Sequence, residues 1–185
     1  MDLRVKRTRT SITNAFIELR SKKPLEKITI KELADAAFIN KATFYQHYRD
    51  IYDLSESMET ELINNIVRSI PHPDTLIDNP GRATLEISEA MMSQTALLQI
   101  LFSGSRQNAM VDRLEQSIRK QILKKHPEYE NDLEKEILIT FLIRGNFYAF
   151  FKHSPENPQD TIPILAQYSA NTAVNGANNS ISSSV

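Results

Sequence analysis

The stretch Thr29-Ile-Lys-Glu-Leu-Ala-Asp-Ala-Ala-Phe-Ile-Asn-Lys-Ala-Thr-Phe-Tyr-Gln-His-Tyr48 decides how this chain reads. Thr29 and Glu32 have the spacing of a capping box, in which each side chain satisfies an orphan backbone donor of the other residue. Behind that cap, Ile30, Leu33, Ala34 and Ala37 fall at i, i+3, i+4 and i+7, one apolar helical face. A second helix is expected to begin near Lys41, with Phe44 and Tyr48 on one side. Lys41, Ala42, Thr43, Gln46 and His47 are left to face outward. Two short helices with a tight link are the arrangement that presents a recognition helix to the major groove of DNA.

Working outward, helix 1 is predicted from about Thr8 to Lys22, with Ile12, Ala15, Phe16 and Leu19 as its buried stripe. Arg4, Lys6, Arg7 and Arg9 precede or open it as a basic arm, either reaching DNA or solvated as a tail. Pro24 stops the helix, because proline disfavours helical backbone in the residue before it. Asp50 is a cap for a fourth helix, reinforced by Asp53 near the positive dipole end. Leu54, Met58, Leu62, Ile66 and Ile70 recur every four residues along it, up to Pro71.

The segment 71–80 holds three prolines and reads as a connection between a head and a body. Further helices are predicted over about 82–102, with a break near Ser93, and over 108–126, 129–153 and 159–173. Residues 175–185, rich in Asn and Ser, are predicted to be disordered. The reading is therefore all-α, with about nine helices. It comprises a helix-turn-helix head over 1–50, a linker helix over 51–70, a regulatory and dimerisation domain over 71–174, and a tail.

Charge divides along the same line. Residues 1–50 hold 11 Lys/Arg against 6 Asp/Glu, a net of +5, whereas 51–185 hold 11 against 17, a net of −6. A basic head attracts phosphate and an acidic body is repelled by it. The absence of cysteine excludes disulfides, thiolate metal sites and thiol redox chemistry. No signal-like apolar stretch opens the sequence, and the most apolar segment, 137–143, falls far short of the ~20 residues that span a bilayer. A cytoplasmic, non-membrane protein is the expectation. The four histidines have no metal-ligand spacing, and there is no nucleophile elbow, glycine-rich phosphate loop or Walker lysine, so neither an enzyme nor a cofactor is expected.

A basic helix 1, a capped helix 2, a short helix ending in aromatic-x-His-aromatic and a long linker helix together resemble the TetR family of bacterial transcriptional regulators. Residues from about Thr8 to Leu54 carry the resemblance, and Ala37-Phe-Ile-Asn-Lys-Ala-Thr-Phe-Tyr-Gln-His-Tyr48 is its specific part. Residues 71–185 match only in helical character and order. The resemblance implies a homodimer on a double-stranded, near-palindromic operator, most often a repressor.

It places base or phosphate contacts on Lys41, Thr43, Gln46 and His47, and backbone phosphate contacts on Tyr45 and His47. The chemistry agrees, since Gln bonds adenine bidentately, Thr touches a thymine methyl, and Lys meets guanine or phosphate. Ala42 permits close approach, and Thr29 and Lys31 sit where helix 2 offers free backbone donors. Tyr45 has packing as its alternative role. Two departures stand out. Phe38 occupies the turn position where the family commonly has glycine; a bulky residue at positive φ is strained, so another turn geometry is expected. Ile51 stands where many members carry a phosphate-directed lysine, with Arg49 as the nearby replacement.

In the body, Met91, Met92, Leu98, Phe102, Met110, Phe141, Phe147 and Tyr148 are the candidate lining of a site for a small apolar or amphipathic inducer, with core packing as the alternative. The segments 129–153 and 159–173 are the candidate dimer surface, the first being apolar on more faces than one core hides. Gly145 is read either as a close helix crossing or as a simple irregularity. The rival reading is a co-regulator acting mainly through a protein partner, with weak or no DNA binding. A small helical enzyme with a buried apolar pocket is a more distant rival.

Overall fold

The computed structural model describes residues 3–103 and 106–178; in that range the protein is all-helical, with nine α-helices and no strand. They are α1 (Leu3–Lys22), α2 (Ile30–Ala36), α3 (Lys41–Tyr45), α4 (Ile51–Ser69), α5 (Pro80–Met92), α6 (Thr95–Leu101), α7 (Gln107–Lys125), α8 (Leu133–His153) and α9 (Pro158–Asn178). None of the described helices is long and apolar enough to cross a membrane.

The chain folds as two compact units. The first holds α1, α2, α3, the start of α4, and α6; the second holds the rest of α4, α5, most of α7, α8 and α9. The body reading over 71–174 thus loses Thr95–Asn108 to the first unit. The helical stretch read over about 82–102 breaks near Ser93, as expected: α5 ends at Met92, and Ser93 and Gln94 close a turn onto Glu89 and Met91 before α6 begins at Thr95.

In the first unit, α1 packs on α2 and α6, and α2 on α3. Ile12, Phe16, Leu33 and Phe44 are among its fully buried side chains. Helix α1 starts at Leu3, five residues before the sequence reading had it, so Arg4, Lys6, Arg7 and Arg9 ride on a helix rather than on an arm or a tail. Asp50 caps α4 as expected, its Oδ1 accepting from the Asp53 amide at 2.8 Å.

In the second unit, α5 lies against α9 so closely that a Cβ on Gly81 would meet the Ala166 carbonyl oxygen and the Ala170 methyl, each at 2.9 Å. Asn79 caps α5 and Pro80 opens it, where the missing amide leaves no intrahelical bond unmade. Helix α8 begins at Leu133, later than position 129. Pro127–Tyr129 forms a 3-10 turn, Asn131 takes a left-handed φ of 68°, and Asp132 caps the helix by accepting from the amides of Glu134 and Lys135. At the other end, residues 175–178 continue α9, whose pattern extends past Ala173; the remainder of the tail predicted to be disordered, 179–185, lies outside the described residues.

Candidate functional site

The site is built by caps. Thr29 and Glu32 form the capping box in full: the Thr29 hydroxyl accepts from the Glu32 amide at 3.2 Å and donates to Glu32 Oε2 at 2.9 Å, and the Thr29 amide donates to the same oxygen at 3.1 Å. Lys23 Nζ lies 2.7 Å from Glu32 Oε1. These donors, the Lys23 ammonium first, lower the Glu32 carboxyl to about 2. The Thr29 hydroxyl is therefore engaged within the helix start, while Lys31 is exposed.

The turn after α2 corrects the expectation for Phe38. It does adopt a left-handed backbone, φ 55°, despite its bulk. Its amide donates to the Asp35 carbonyl at 3.2 Å, and the Ile39 amide donates to Ala34 at 3.0 Å. This pair of bonds is the Schellman closure, which satisfies carbonyls that would otherwise be orphaned at the helix end. The Ser11 hydroxyl donates to the Ala37 carbonyl at 2.7 Å and fastens the same turn to α1. Two closing bonds offset the cost of a left-handed phenylalanine, whose ring is 95% exposed.

Asn40, which the sequence reading passed over, caps α3: its Oδ1 accepts from the Thr43 amide at 2.7 Å and from the Thr43 hydroxyl at 3.0 Å. Its signal was visible as a cap-forming residue three positions before Thr43. Phe44 and Tyr48 are buried with ring centroids 5.8 Å apart. The Tyr48 hydroxyl accepts from Arg9 Nε at 3.4 Å, and the Arg9 guanidinium sits 5.8 Å from the same ring. With α3 anchored on that side, Lys41, Ala42, Tyr45 and Gln46 are exposed, and Thr43 and His47 are half-buried. Tyr45 keeps only an edge contact to Phe44, at 5.6 Å.

Arg4 and Thr8 of α1, with Asn40, Thr43, Gln46 and His47, line an open groove of about 710 Å³. Arg49 is exposed but held: its amide and its guanidinium both bond the Asp53 carboxylate, at 2.9 and 3.1 Å, which lowers that carboxyl. Ile51 is buried and points no group outward.

The candidate ligand residues scatter. Met91 and Phe147 line a small cavity in the second unit, with Thr84, Leu114, Leu142 and Asn146. Leu98 and Phe102 are buried in the first unit, because α6 belongs there. Met110 is packed in the core without lining the cavity, whereas Met92, Phe141 and Tyr148 are largely exposed. Apolar type alone could not separate wall, core and surface. The residues missed include Thr84 and Ser169, both buried, and the half-buried Asn146, whose side chains hydrogen-bond across α5, α8 and α9: Thr84 to Ser169 at 3.0 Å, Asn146 to Ser169 at 2.9 Å, and Asn146 to Thr84 at 3.3 Å. The cavity measures about 20 Å³, room for about one water.

On the candidate dimer helices, Leu133, Ile137, Phe141 and Tyr148 of α8 and Ile164 and Tyr168 of α9 are exposed. A Cβ on Gly145 would meet nothing within 4 Å, so no helix of the same chain crosses there among the described residues. No group of three or more metal-ligating side chains occurs among the described residues. No family model, curated protein or solved structure matches the chain.

Proposed function

We propose that this chain is a homodimeric, DNA-binding transcriptional regulator of the TetR type, acting as a repressor. The observation that carries the reading is the two-sided α3: Phe44 and Tyr48 are buried beneath it, while Lys41, Tyr45 and Gln46 stand in solvent. A helix whose polar side chains are held out by a rigid apolar underside is suited to reading base edges. The net +5 of residues 1–50 supplies the attraction to phosphate. A second copy seated on the α8–α9 face would cover six exposed large apolar side chains, and two heads about 34–36 Å apart would meet successive major grooves.

The ligand half of the reading is more demanding. Ligand sites run to roughly 300–1,000 Å³, so an inducer enters the second unit only by parting α5 from α8 and breaking the Thr84–Asn146–Ser169 hydrogen bonds. Release of DNA would then follow from that opening, through differential affinity for the open and closed forms.

The test is a binding series on fragments selected from the source genome. The log affinity of the full chain is expected to fall linearly with log salt. Lys41→Ala, Thr43→Ala and Gln46→Ala together are expected to weaken binding by 100-fold or more, from about 1–3 kcal/mol per specific base contact. A folded triple variant with unchanged affinity sinks the reading. A second reading, a co-regulator acting through a protein partner, is favoured by the bare Phe38 ring beside the groove, the buried Ile51 and the Arg49 held by Asp53. It predicts no retardation of DNA even at low salt.

A further inference from the structure

Among the described residues, Phe38 is the barest large apolar side chain, 95% exposed in the turn between α2 and α3. Its φ of 55° is a left-handed conformation that favours glycine and penalises a Cβ. A ring so little buried gives folding almost no apolar area to offset that penalty. A strained residue that the fold does not use for packing points to a role outside the fold.

The turn is nevertheless held firmly. The Ser11 hydroxyl bonds the Ala37 carbonyl at 2.7 Å, the Phe38 and Ile39 amides bond Asp35 and Ala34, and Asn40 Oδ1 receives the Thr43 amide at 2.7 Å. Four consecutive residues are thus tied to α1, α2 or α3, and the ring is presented from a fixed backbone. Docking a partner on it orders little besides the ring's own rotamer.

The chemistry around the ring identifies that partner. Phe38 borders the open groove of about 710 Å³ together with Arg4 of α1 and with Thr43, Gln46 and His47. Six of the nine residues lining it carry hydrogen-bonding side chains, whereas a groove that takes an amphipathic helix is hydrophobic. A cation, a hydroxyl, an amide and an imidazole beside one bare ring match a DNA duplex. The duplex offers phosphates, donors and acceptors on base edges, and one apolar group in its major groove, the thymine 5-methyl.

We infer that Phe38 is a specificity-determining residue of the DNA interface, seated against a thymine 5-methyl group next to the bases that Thr43 and Gln46 meet. The inference rests on the DNA reading above and adds to it a contact from the turn. A phenyl ring makes no hydrogen bond to select guanine, cytosine or adenine, so its preference is for the base that carries the methyl.

The experiment measures binding of the full chain to its selected operator, with each thymine replaced in turn by deoxyuridine, which removes the methyl and keeps the base pair. Phe38→Gly and Phe38→Asn are compared with the wild type, because both replacements accept a left-handed backbone and keep the turn. One thymine in each half-site is expected to cost the wild type about four-fold in affinity on losing its methyl, the worth of one buried methylene. Both variants should bind the unmodified operator at least that much more weakly and be indifferent to deoxyuridine at that position. Variants that bind as tightly as the wild type overturn the inference, including the case in which they lose a protein partner instead. Variants weakened equally on every duplex, with no thymine singled out, overturn it too, since the ring would then lie on the sugar-phosphate backbone. A wild type that retards no fragment sinks the DNA reading and this inference together, whereas a wild type that binds with an idle ring sinks this inference alone.

Discussion

Phe38 shows how a single residue can be held against its own preference. Its left-handed φ of 55° disfavours any side chain with a Cβ, yet the bonds from Phe38 to Asp35 and from Ile39 to Ala34 fix it there. Because the ring is almost wholly exposed, replacing it removes strain without opening a cavity. Phe38→Gly is expected to stabilise the protein by about 1 kcal/mol, read as a higher urea midpoint with unchanged slope. A lower midpoint would mean that the ring packs on something in solution. If the same variant also weakens DNA or partner binding, the strain is serving the surface.

Glu32 makes a second prediction at this scale. Its carboxyl is depressed to about 2 in the folded state, below the ordinary glutamate value of 4.5. Stability from a depressed acid is present above the unfolded pKa and lost as pH falls toward the folded one. The thermal midpoint should therefore drop between pH 4.5 and 2, and Glu32→Gln should lower it at neutral pH while flattening that acid limb. An acid limb identical in the variant would show that other carboxylates carry it.

At the scale of the element, the close approach of α5 to α9 depends on a missing side chain. Gly81→Ala would set a methyl 2.9 Å from both a backbone oxygen and another methyl. Neither obstacle is the far end of a flexible side chain, so the helices must separate. Overpacking of this kind costs about 1–3 kcal/mol, measurable by urea unfolding of the full chain. Gly145→Ala is the control, since its Cβ would enter open space within the chain. Sequence patterning found most helices but erred at their ends, and the errors share a cause. The starts of α5 and α8 are fixed by Asn79 and Asp132, and a cap is one hydrogen bond whose signal is easily lost among other polar residues.

At the scale of the whole molecule, α8 is apolar on two faces. Ile139, Leu142, Ile143, Phe147 and Phe150 are buried, while Ile137 and Phe141 are 60% and 62% exposed. A single chain leaves that second stripe in water, and a copy of the chain is the occupant proposed for it. Ile137→Asp combined with Phe141→Asp is expected to convert the dimer to a folded monomer in light scattering, with helical circular dichroism retained. Operator affinity should fall with it, because two heads would no longer bind as one unit. A variant that remains dimeric sends the interface elsewhere.

The all-helical class, the capped α2 and the buried Phe44–Tyr48 pair under α3 were legible in the residues alone, because they depend on periodicity and on partners three or four positions away. The membership of α6 in the first unit, the left-handed Phe38 and the Thr84–Asn146–Ser169 bonds required the tertiary structure. So did the sorting of methionines and aromatics into cavity wall, core and surface. Each of these depends on contacts between residues far apart in sequence, where a side chain's type says that it can be buried but not against what. Arg20 is the sharpest instance: a terminal arginine of an amphipathic helix in the sequence, it becomes a buried cation only once Leu101 and Ser103 fold over it.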